Sequence, residues 1–249
     1  MSDALRIFGL KAVVTEAASG VGEAVVRTFV KQGASVLAID SAASGVGTHF
    51  KGLRNVSGMV LDLSQADAAK MLVEAADSEL GGLDILVNNF DWQVEAPIGD
   101  ADEDALAELL RRVTGRMSAF CTAALKPMQK SPAGRIINIG CGRALFAENG
   151  AGAYASARQA VARLTSELAA ESGEFGIMVN YIQPGAVMTP VSRGIFAANR
   201  ELRDRCIQSS AARRLGEPVD IAKVVLFFAT DDSGFVSGTG IVADGGAAA

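Results

Sequence analysis

The residues best suited to proton-transfer chemistry in this chain are Tyr154 and Arg158, in the run Tyr-Ala-Ser-Ala-Arg. They are four positions apart, so on a helix they share one face and lie one turn apart. A guanidinium next to a phenol favours the phenolate and lowers its pKa, which makes the phenol a usable acid and base near neutral pH. Taken alone, this pair is more typical of a buried tyrosine beside a surface arginine on an alanine-rich helix. The rest of the chain favours the catalytic interpretation.

Composition narrows the classes of function. The chain has 249 residues, of which 49% are hydrophobic and 20% charged, and this suits one α/β domain spanning 1–249 with a substantial core. A formal charge of −5 argues against nucleic acid or an anionic membrane as the main partner. The chain starts without a basic segment followed by an apolar one, and no apolar run approaches the length of a membrane span. We therefore expect a cytoplasmic protein.

Cysteine and histidine usage excludes further chemistry. Cys121, Cys141 and Cys206 are widely spaced and form no metal-binding motif, which predicts free thiols in a reducing compartment and no metal site. The single histidine, His49, excludes histidine-dependent triads and most zinc sites. Catalysis, if present, must use Tyr, Ser, Thr, Cys, Asn, a carboxylate, Arg or Lys.

Short apolar runs alternate with longer helical patterns along the whole chain. The runs predict strands that are buried on both faces, at 12–15, 36–40, 59–61, 84–88, 135–140, 177–182 and 241–243. The segments between them predict helices near 20–32, 65–80, 101–129, 152–172 and 217–230. This alternation indicates a single-domain doubly wound parallel sheet, the Rossmann fold. Residues 186–216 contain no predicted strand and suit a substrate loop or lid.

A glycine-containing turn follows the first predicted strand. It runs from Thr15 through Ser19, Gly20 and Val21 to Gly22 and opens the first helix, where backbone amides can approach a pyrophosphate. Asp40 ends the second predicted strand. A carboxylate at that point binds both ribose hydroxyls and repels a 2′-phosphate, so the pattern predicts NAD rather than NADP as the cofactor.

Over nearly its whole length the chain resembles the short-chain dehydrogenase/reductase family. The family's Thr-Gly-x-x-x-Gly-x-Gly turn, its Asn-Asn-Ala-Gly motif, its Tyr-x-x-x-Lys motif and its Pro-Gly after the sixth strand correspond to residues 15–22, 88–91, 154–158 and 184–185. The resemblance implies Tyr154 as the catalytic acid and base. It also implies that the cofactor contacts Asp62, Leu63, Asn88, Pro184, Gly185, Val187 and Thr189 in addition to the glycine turn and Asp40.

The catalytic positions depart from the family pattern. The family's Lys is Arg158, its Ser is Cys141, and its helix-four Asn falls on Val113. In the family, Ser polarises the substrate carbonyl, while Lys binds the nicotinamide ribose, lowers the pKa of Tyr and joins a water relay through Asn. Arginine keeps the charge but does not exchange a proton, and a thiol is a weak donor. Cys141 is either an inert small residue beside the substrate oxygen or a thiol activated by Arg158.

The cofactor site is altered as well. Glu16 stands where the family has its first Gly, and its carboxylate either accepts a bond from a ribose hydroxyl or repels the pyrophosphate. Phe90 and Asp91 replace the small Ala-Gly pair, although Phe90 is also explained as an ordinary core residue turned inwards. We expect weaker NAD binding than in a family member with the intact motif, but not its loss.

Three functions fit these observations. The first is an NAD(H)-dependent oxidoreductase that interconverts a secondary alcohol and a ketone. The second is a halohydrin dehalogenase-like enzyme, which also pairs Tyr with Arg but needs no nucleotide. The third is a non-catalytic nucleotide-binding homologue.

The partners follow from the same resemblance and from the loop composition. Met188, Ile195, Phe196 and Trp92 could line an apolar pocket, which favours a hydrophobic small-molecule substrate, but aromatic and methionine residues are more often plain core. The resemblance further implies a homotetramer or dimer packed through 101–129, 152–172 and the C-terminal segment.

Overall fold

A computed structural model of the chain describes residues 5–90, 103–140 and 151–247, and for 103–107, 109–110 and 151–158 it describes the backbone alone. Strands and helices alternate in these ranges. The strands are β1 (Lys11–Thr15), β2 (Ser35–Asp40), β3 (Val56–Val60), β4 (Ile85–Asn89), β5 (Arg135–Ile139), β6 (Met178–Pro184) and β7 (Gly240–Ala243). The α-helices are α1 (Gly20–Lys31), α2 (Val46–His49), α3 (Ala68–Leu80), α4 (Glu103–Met128), α5 (Ala151–Ser172), α6 (Pro190–Ala198), α7 (Arg200–Ser209) and α8 (Pro218–Ala229).

The strands form one parallel sheet in the order β3-β2-β1-β4-β5-β6-β7. The predicted doubly wound α/β sheet is therefore confirmed. On one side of β1 the sheet continues with β2 and β3. On the other side it continues with β4, β5, β6 and β7. The reversal between β1 and β4 opens a crevice at the carboxyl ends of these two strands, where ligands bind in folds of this kind.

Both faces of the sheet are covered, which explains why its strands are apolar without alternation. Along β1, Val13 packs into the core beneath α3, α4 and α5, whereas Val14 packs into the core beneath α1 and α8. Neither side chain is exposed to solvent. Since each fully buried valine contributes roughly 1.5 kcal/mol or more, these strands hold the sheet rigidly under the crevice.

The sequence prediction was wrong about the length of the third strand. It was placed at 59–61, but β3 begins three residues earlier, at Val56. The strand signal is weak there because Gly58 interrupts the apolar run. A Cβ on Gly58 would lie 2.2 Å from the carbonyl oxygen of Val46, so the glycine is needed where α2 packs closely against the strand.

Candidate active site at the sheet switch point

Thr15 joins the two strands that border the crevice. Its side chain is fully buried, and its hydroxyl oxygen accepts a hydrogen bond from the backbone N–H of Asn89 at 3.0 Å. The same hydroxyl lies 3.2 Å from the Asn89 carbonyl oxygen, to which it donates. The Thr15 side chain thus holds β1 and β4 together. At this position only the backbone is available to contact a cofactor.

The glycine turn between β1 and α1 is tightly folded. Glu16 adopts a positive φ of 46° and Gly20 one of 53°. A Cβ on Gly22 would lie 2.1 Å from the Glu16 carbonyl oxygen, so no side chain fits there. Ser19 precedes α1 in an extended conformation without capping it through its side chain, and Val21 packs at the edge of the core. The helix N-terminus therefore begins at a turn in which backbone, rather than side chains, approaches a ligand.

Asp40, at the end of β2, is fixed against this turn. One carboxylate oxygen accepts the N–H of Ala18 at 2.9 Å, and the other accepts the N–H of Ser41 at 2.7 Å. The residue is 9% exposed. Each carboxylate oxygen has two lone pairs, so both keep the capacity to accept a further hydrogen bond. The structure places Asp40 next to the turn, as the sequence spacing predicts.

Asp62 and Leu63 follow β3 and differ in environment. Asp62 is exposed, and hydrogen bonds from the hydroxyl and the backbone N–H of Ser64, at 2.6 and 2.8 Å, lower the pKa of its carboxyl below the ordinary value. Leu63 is buried in the core under α3. The Asp62 carboxylate is therefore an accessible anion, while Leu63 offers a ligand only its backbone.

The predicted residues after β6 lie at the same end of the sheet. Pro184 is the last residue of β6. A Cβ on Gly185 would lie 2.6 Å from the Cα of Asp244, so only glycine fits beside the end of β7. Val187 is buried in the core, and its carbonyl oxygen accepts the hydroxyl of Ser192 at 2.6 Å.

Thr189 connects the segment 186–216 to the glycine turn. It caps α6: its hydroxyl accepts the backbone N–H of Ser192 at 3.1 Å, and its own N–H is donated to the Ser192 hydroxyl at 2.7 Å. A Cβ on Gly20 would lie 3.3 Å from the Thr189 side chain. The start of α6 thus abuts the turn, and the structure brings these two parts of the predicted cofactor site together.

Tyr154 and Arg158 both lie in α5, so the helical spacing assumed for them is present in the backbone. The helix positions that continue their row are Val161, Thr165 and Leu168, and these pack under the sheet with at most 5% exposure. The backbone positions of the predicted catalytic pair therefore lie in the same helical row as these three residues. Cys141 lies outside the described residues.

Four apolar residues bear on the expectations drawn from the sequence. Phe90 is 4% exposed and packs edge-on against Phe120, with 5.4 Å between ring centroids. It is therefore a core residue and does not fill the crevice. Val113, at the position of the family's Asn, is 1% exposed in the same core. Phe196 is 2% exposed, whereas Ile195 is 38% exposed. The expected pocket-lining role thus suits Ile195 and not Phe196.

Asn88 is a predicted cofactor contact, and its side chain belongs to a buried polar cluster that the sequence analysis missed. It is joined by Cys121, Asn138 and Thr165, and none of the four is exposed. Burial raises the pKa of the Cys121 thiol to about 12, so this cysteine is protonated and inert at neutral pH. One signal was present in the sequence: Asn138 is a polar residue inside an otherwise apolar strand.

The described ranges hold neither a metal-binding cluster nor a helix that could span a membrane. In 5–90, 103–140 and 151–247, no group of three or more His, Cys, Asp and Glu side chains is arranged to hold a metal ion. Within the same ranges, no helix combines the length and the apolar character needed to cross a bilayer.

Comparison with known proteins gives a consistent result. A family model described as enoyl-(acyl carrier protein) reductase, from the short-chain dehydrogenase/reductase family, matches residues 17–248. The 3-oxoacyl-(acyl-carrier-protein) reductase of Vibrio cholerae is 29% identical over 97% of this chain and 98% of its own. The meso-2,3-butanediol dehydrogenase of Serratia marcescens is 32% identical over 95% and 94%. The 7alpha-hydroxysteroid dehydrogenase of Escherichia coli is 30% identical over 98% and 96%.

Proposed function

The chain belongs to the short-chain dehydrogenase/reductase family of oxidoreductases, and we propose that it uses NAD(H) to interconvert a secondary alcohol and a ketone. The observation that carries the choice of cofactor is the position of Asp40. Its carboxylate is held by two backbone N–H groups beside a glycine turn at the switch point of the sheet. A fixed anion there favours a ribose diol and repels a 2′-phosphate.

The residues of the crevice fit a dinucleotide. The turn leaves no room for a Cβ at Gly22, as expected where backbone amides must approach a pyrophosphate. Asp40 would hold the adenosine ribose, Asp62 the adenine side, and Thr189 the carboxamide of the nicotinamide. When bound, the nicotinamide supplies or accepts the hydride, and the proton is left to the chain's own residues.

Tyr154 is the proposed proton donor and acceptor. Arg158, one turn further along α5, favours the phenolate and hydrogen-bonds the nicotinamide ribose, and Cys141 lies beside the substrate oxygen. Two features make turnover slow. A thiol polarises a carbonyl weakly, and the α4 position used in the family's water relay is the buried, apolar Val113. The Tyr154 proton must therefore reach solvent by another route.

The proposed substrate is small and apolar. The three relatives described above are named for a reductase and two dehydrogenases, acting on an oxoacyl group, a diol and a hydroxysteroid. On α6, Val191 and Ile195 are 45% and 38% exposed and lie one helical turn apart. Because Thr189 at the start of α6 abuts the glycine turn, we assign 186–216 as the lid that closes over the substrate.

A binding titration tests the cofactor assignment directly. The purified protein is titrated with NAD⁺, NADH and NADPH by calorimetry at one salt concentration. NADH should bind at least about tenfold more tightly than NADPH, a difference of about 1.4 kcal/mol. Equal or tighter binding of NADPH contradicts the role given to Asp40. Absence of binding by all three removes the cofactor from the proposal.

A turnover assay then tests the chemistry. NADH consumption is followed with a panel of hydrophobic ketones for the native chain, Tyr154→Phe and Arg158→Lys. We expect Tyr154→Phe to abolish turnover with NADH affinity unchanged, and Arg158→Lys to retain activity. Release of halide from a small halohydrin without nucleotide would identify the dehalogenase activity instead. NADH binding without turnover of any substrate would identify the non-catalytic homologue.

Self-association and a cytoplasmic location complete the proposal. The Phe235 side chain is fully exposed just before the edge strand β7, and a large apolar side chain in that position suits burial by a second copy of the chain. We propose a homotetramer or dimer in which the C-terminal segment takes part. Light scattering on the native chain and on Phe235→Ser tests this, and a strictly monomeric native protein contradicts it. Half-exposed Cys206 forms no disulfide within the described residues, which suits a reducing cytoplasm.

A further inference from the structure

A chain of buried hydrogen bonds crosses the core from β4 to α5. The Asn88 amide donates to the Asn138 Oδ1 at 2.9 Å, and the Asn138 amide donates to the Thr165 hydroxyl at 3.2 Å. Cys121, from α4, accepts from the Asn88 amide at 3.2 Å and donates to the Asn138 Oδ1 at 3.5 Å. All four side chains are fully buried. The bonds therefore link β4, β5, α4 and α5 inside one core.

This cluster is poorly explained as a source of stability. Polar side chains lose their hydration when buried, and well-packed apolar residues of similar size usually serve a core as well or better. Among the described residues the Asn88 Oδ1 has no hydrogen-bond partner, so one polar atom remains uncompensated. Hydrogen bonds are directional, and those of this cluster form only in one register of the strands and helices that carry them. The cluster can therefore fix how these elements are positioned, which an apolar core does less specifically.

Both ends of the chain of bonds lead to the proposed active site. At the β4 end, Asn89 follows Asn88, and its amide donates to the Glu16 carbonyl oxygen of the glycine turn at 3.2 Å. At the α5 end, Thr165 lies 7 positions after Arg158 and 11 after Tyr154. At 3.6 residues per turn, these spacings place all three within about 20° of one row on the helix. The bonds thus connect the cofactor turn to the catalytic helix.

We propose that Asn138 and Thr165 are positioning residues that fix the register of α5 against β4 and β5. They would thereby set the distance between Tyr154 and a dinucleotide in the crevice, with Cys121 acting as a hydrogen-bonding support and not as a nucleophile. This inference rests on the proposed function of the same site. A misplacement of about 1 Å at a reacting centre is enough to lower turnover by a large factor.

The test replaces the hydroxyl without changing the volume of the side chain. Thr165→Val removes the acceptor for the Asn138 amide, Thr165→Ser restores it, and Val161→Ala is the matched control. Val161 lies one turn earlier on the same buried row and belongs to the apolar core. We expect Thr165→Val to lower kcat at least about tenfold while KM for NADH changes less than twofold. Thr165→Ser should recover most of kcat, and Val161→Ala should keep it within about threefold.

The pH profile separates positioning from a change in the acidity of the phenol. Tyr154 and Arg158 stand on one helix and move together, so a shift of α5 leaves their separation unchanged. The midpoint of the kcat profile of Thr165→Val should therefore match that of the native chain. A kcat within twofold of native for Thr165→Val, or an equal loss in Val161→Ala, overturns the proposal.

Hydrogen exchange gives a second measurement that does not need turnover. NADH binding in the crevice should slow amide exchange in residues 151–160 of the native chain and of Val161→Ala. It should fail to do so in Thr165→Val, although NADH still binds. If NADH protects α5 equally in all three proteins, the coupling does not exist and the inference fails. If the native chain binds NADH but turns over no substrate, the proposed function fails, while the coupling is still decided by exchange.

Discussion

Gly22 gives the sharpest test of the proposed cofactor turn, because the space available to a side chain there is defined by backbone atoms. A Cβ built on Gly22 would lie 2.1 Å from the Glu16 carbonyl oxygen and 2.9 Å from the Ala17 Cα. Ordinary contact distances are well above 3 Å, so Gly22→Ala must displace the backbone by about 1 Å. Forced overpacking of this kind costs about 1–3 kcal/mol. We expect a cost near the upper end of that range for Gly22→Ala, because the opposing atoms belong to the backbone and cannot rotate away.

The consequences of Gly22→Ala follow from what the turn holds. Its displacement moves Ala18, whose N–H binds the Asp40 carboxylate at 2.9 Å, so stability and cofactor binding should fall together. We expect a loss of about 3 kcal/mol in the free energy of unfolding, measured by urea titration. NADH affinity, measured by calorimetry well below the unfolding transition, should drop at least about tenfold.

Gly115→Ala is the matched control for this experiment. Gly115 lies inside α4, and a Cβ there would meet nothing within 4 Å. Alanine is a better helix former, so this variant should gain roughly 0.5–1 kcal/mol and bind NADH as the native chain does. The reasoning is refuted if Gly22→Ala stays within about 0.5 kcal/mol of the native stability and binds NADH equally well.

Three further predictions concern residues that distinguish this chain from its relatives or that lie beneath its site. Phe90→Ala should cost about 3 kcal/mol in a urea titration, because it leaves a cavity against Phe120, but NADH affinity should stay within twofold. Glu16→Gly should gain about 1 kcal/mol by relieving a positive φ of 46°, and should tighten NADH binding by removing a carboxylate near the proposed position of the pyrophosphate. Cys121→Ser should remove part of the alkaline loss of stability. The thiol pKa rises from 9.0 to about 12 on folding, so above pH 9 the unfolded state releases a proton that the folded state keeps. By pH 10 this destabilises the native chain by about 1.4 kcal/mol relative to the serine variant, compared with pH 7.

Each of these predictions has an outcome that contradicts it. A marked change in NADH affinity on Phe90→Ala would mean that the ring contributes to the crevice and not only to the core. Weaker NADH binding by Glu16→Gly would show that the carboxylate accepts a ribose hydroxyl. A stability difference between Cys121→Ser and the native chain that does not vary between pH 7 and pH 10 would mean that the thiol titrates normally in the folded state.

Much of the architecture was accessible from local patterns. Unbroken apolar runs such as Ile85–Val87 are typical of strands buried on both sides, and the helical segments between them require parallel pairing. The turn and Asp40 lay at the predicted ends of β1 and β2, because the spacing between a strand, its helix and the next strand is set by the lengths of those elements. The third strand was predicted too short, because Gly58 interrupts the apolar run at the point where α2 packs closely against β3.

The chain order of residue types thus determined the seven strands and five of the helices, the end of the sheet at which the proposed site lies, and the side chains that are chemically capable of acid–base work. Those properties depend on local periodicity, on turn chemistry and on the spacing of a few residues. Tertiary structure alone decided where a side chain points when the sequence is compatible with more than one environment for it. Phe90 turns into the core beside Phe120, the Asn88 amide binds Asn138 and Cys121 inside the molecule, and Thr189 meets Gly20 across a separation of more than 160 residues. Such contacts join segments that are far apart in the chain, and no local pattern contains the partner that decides them.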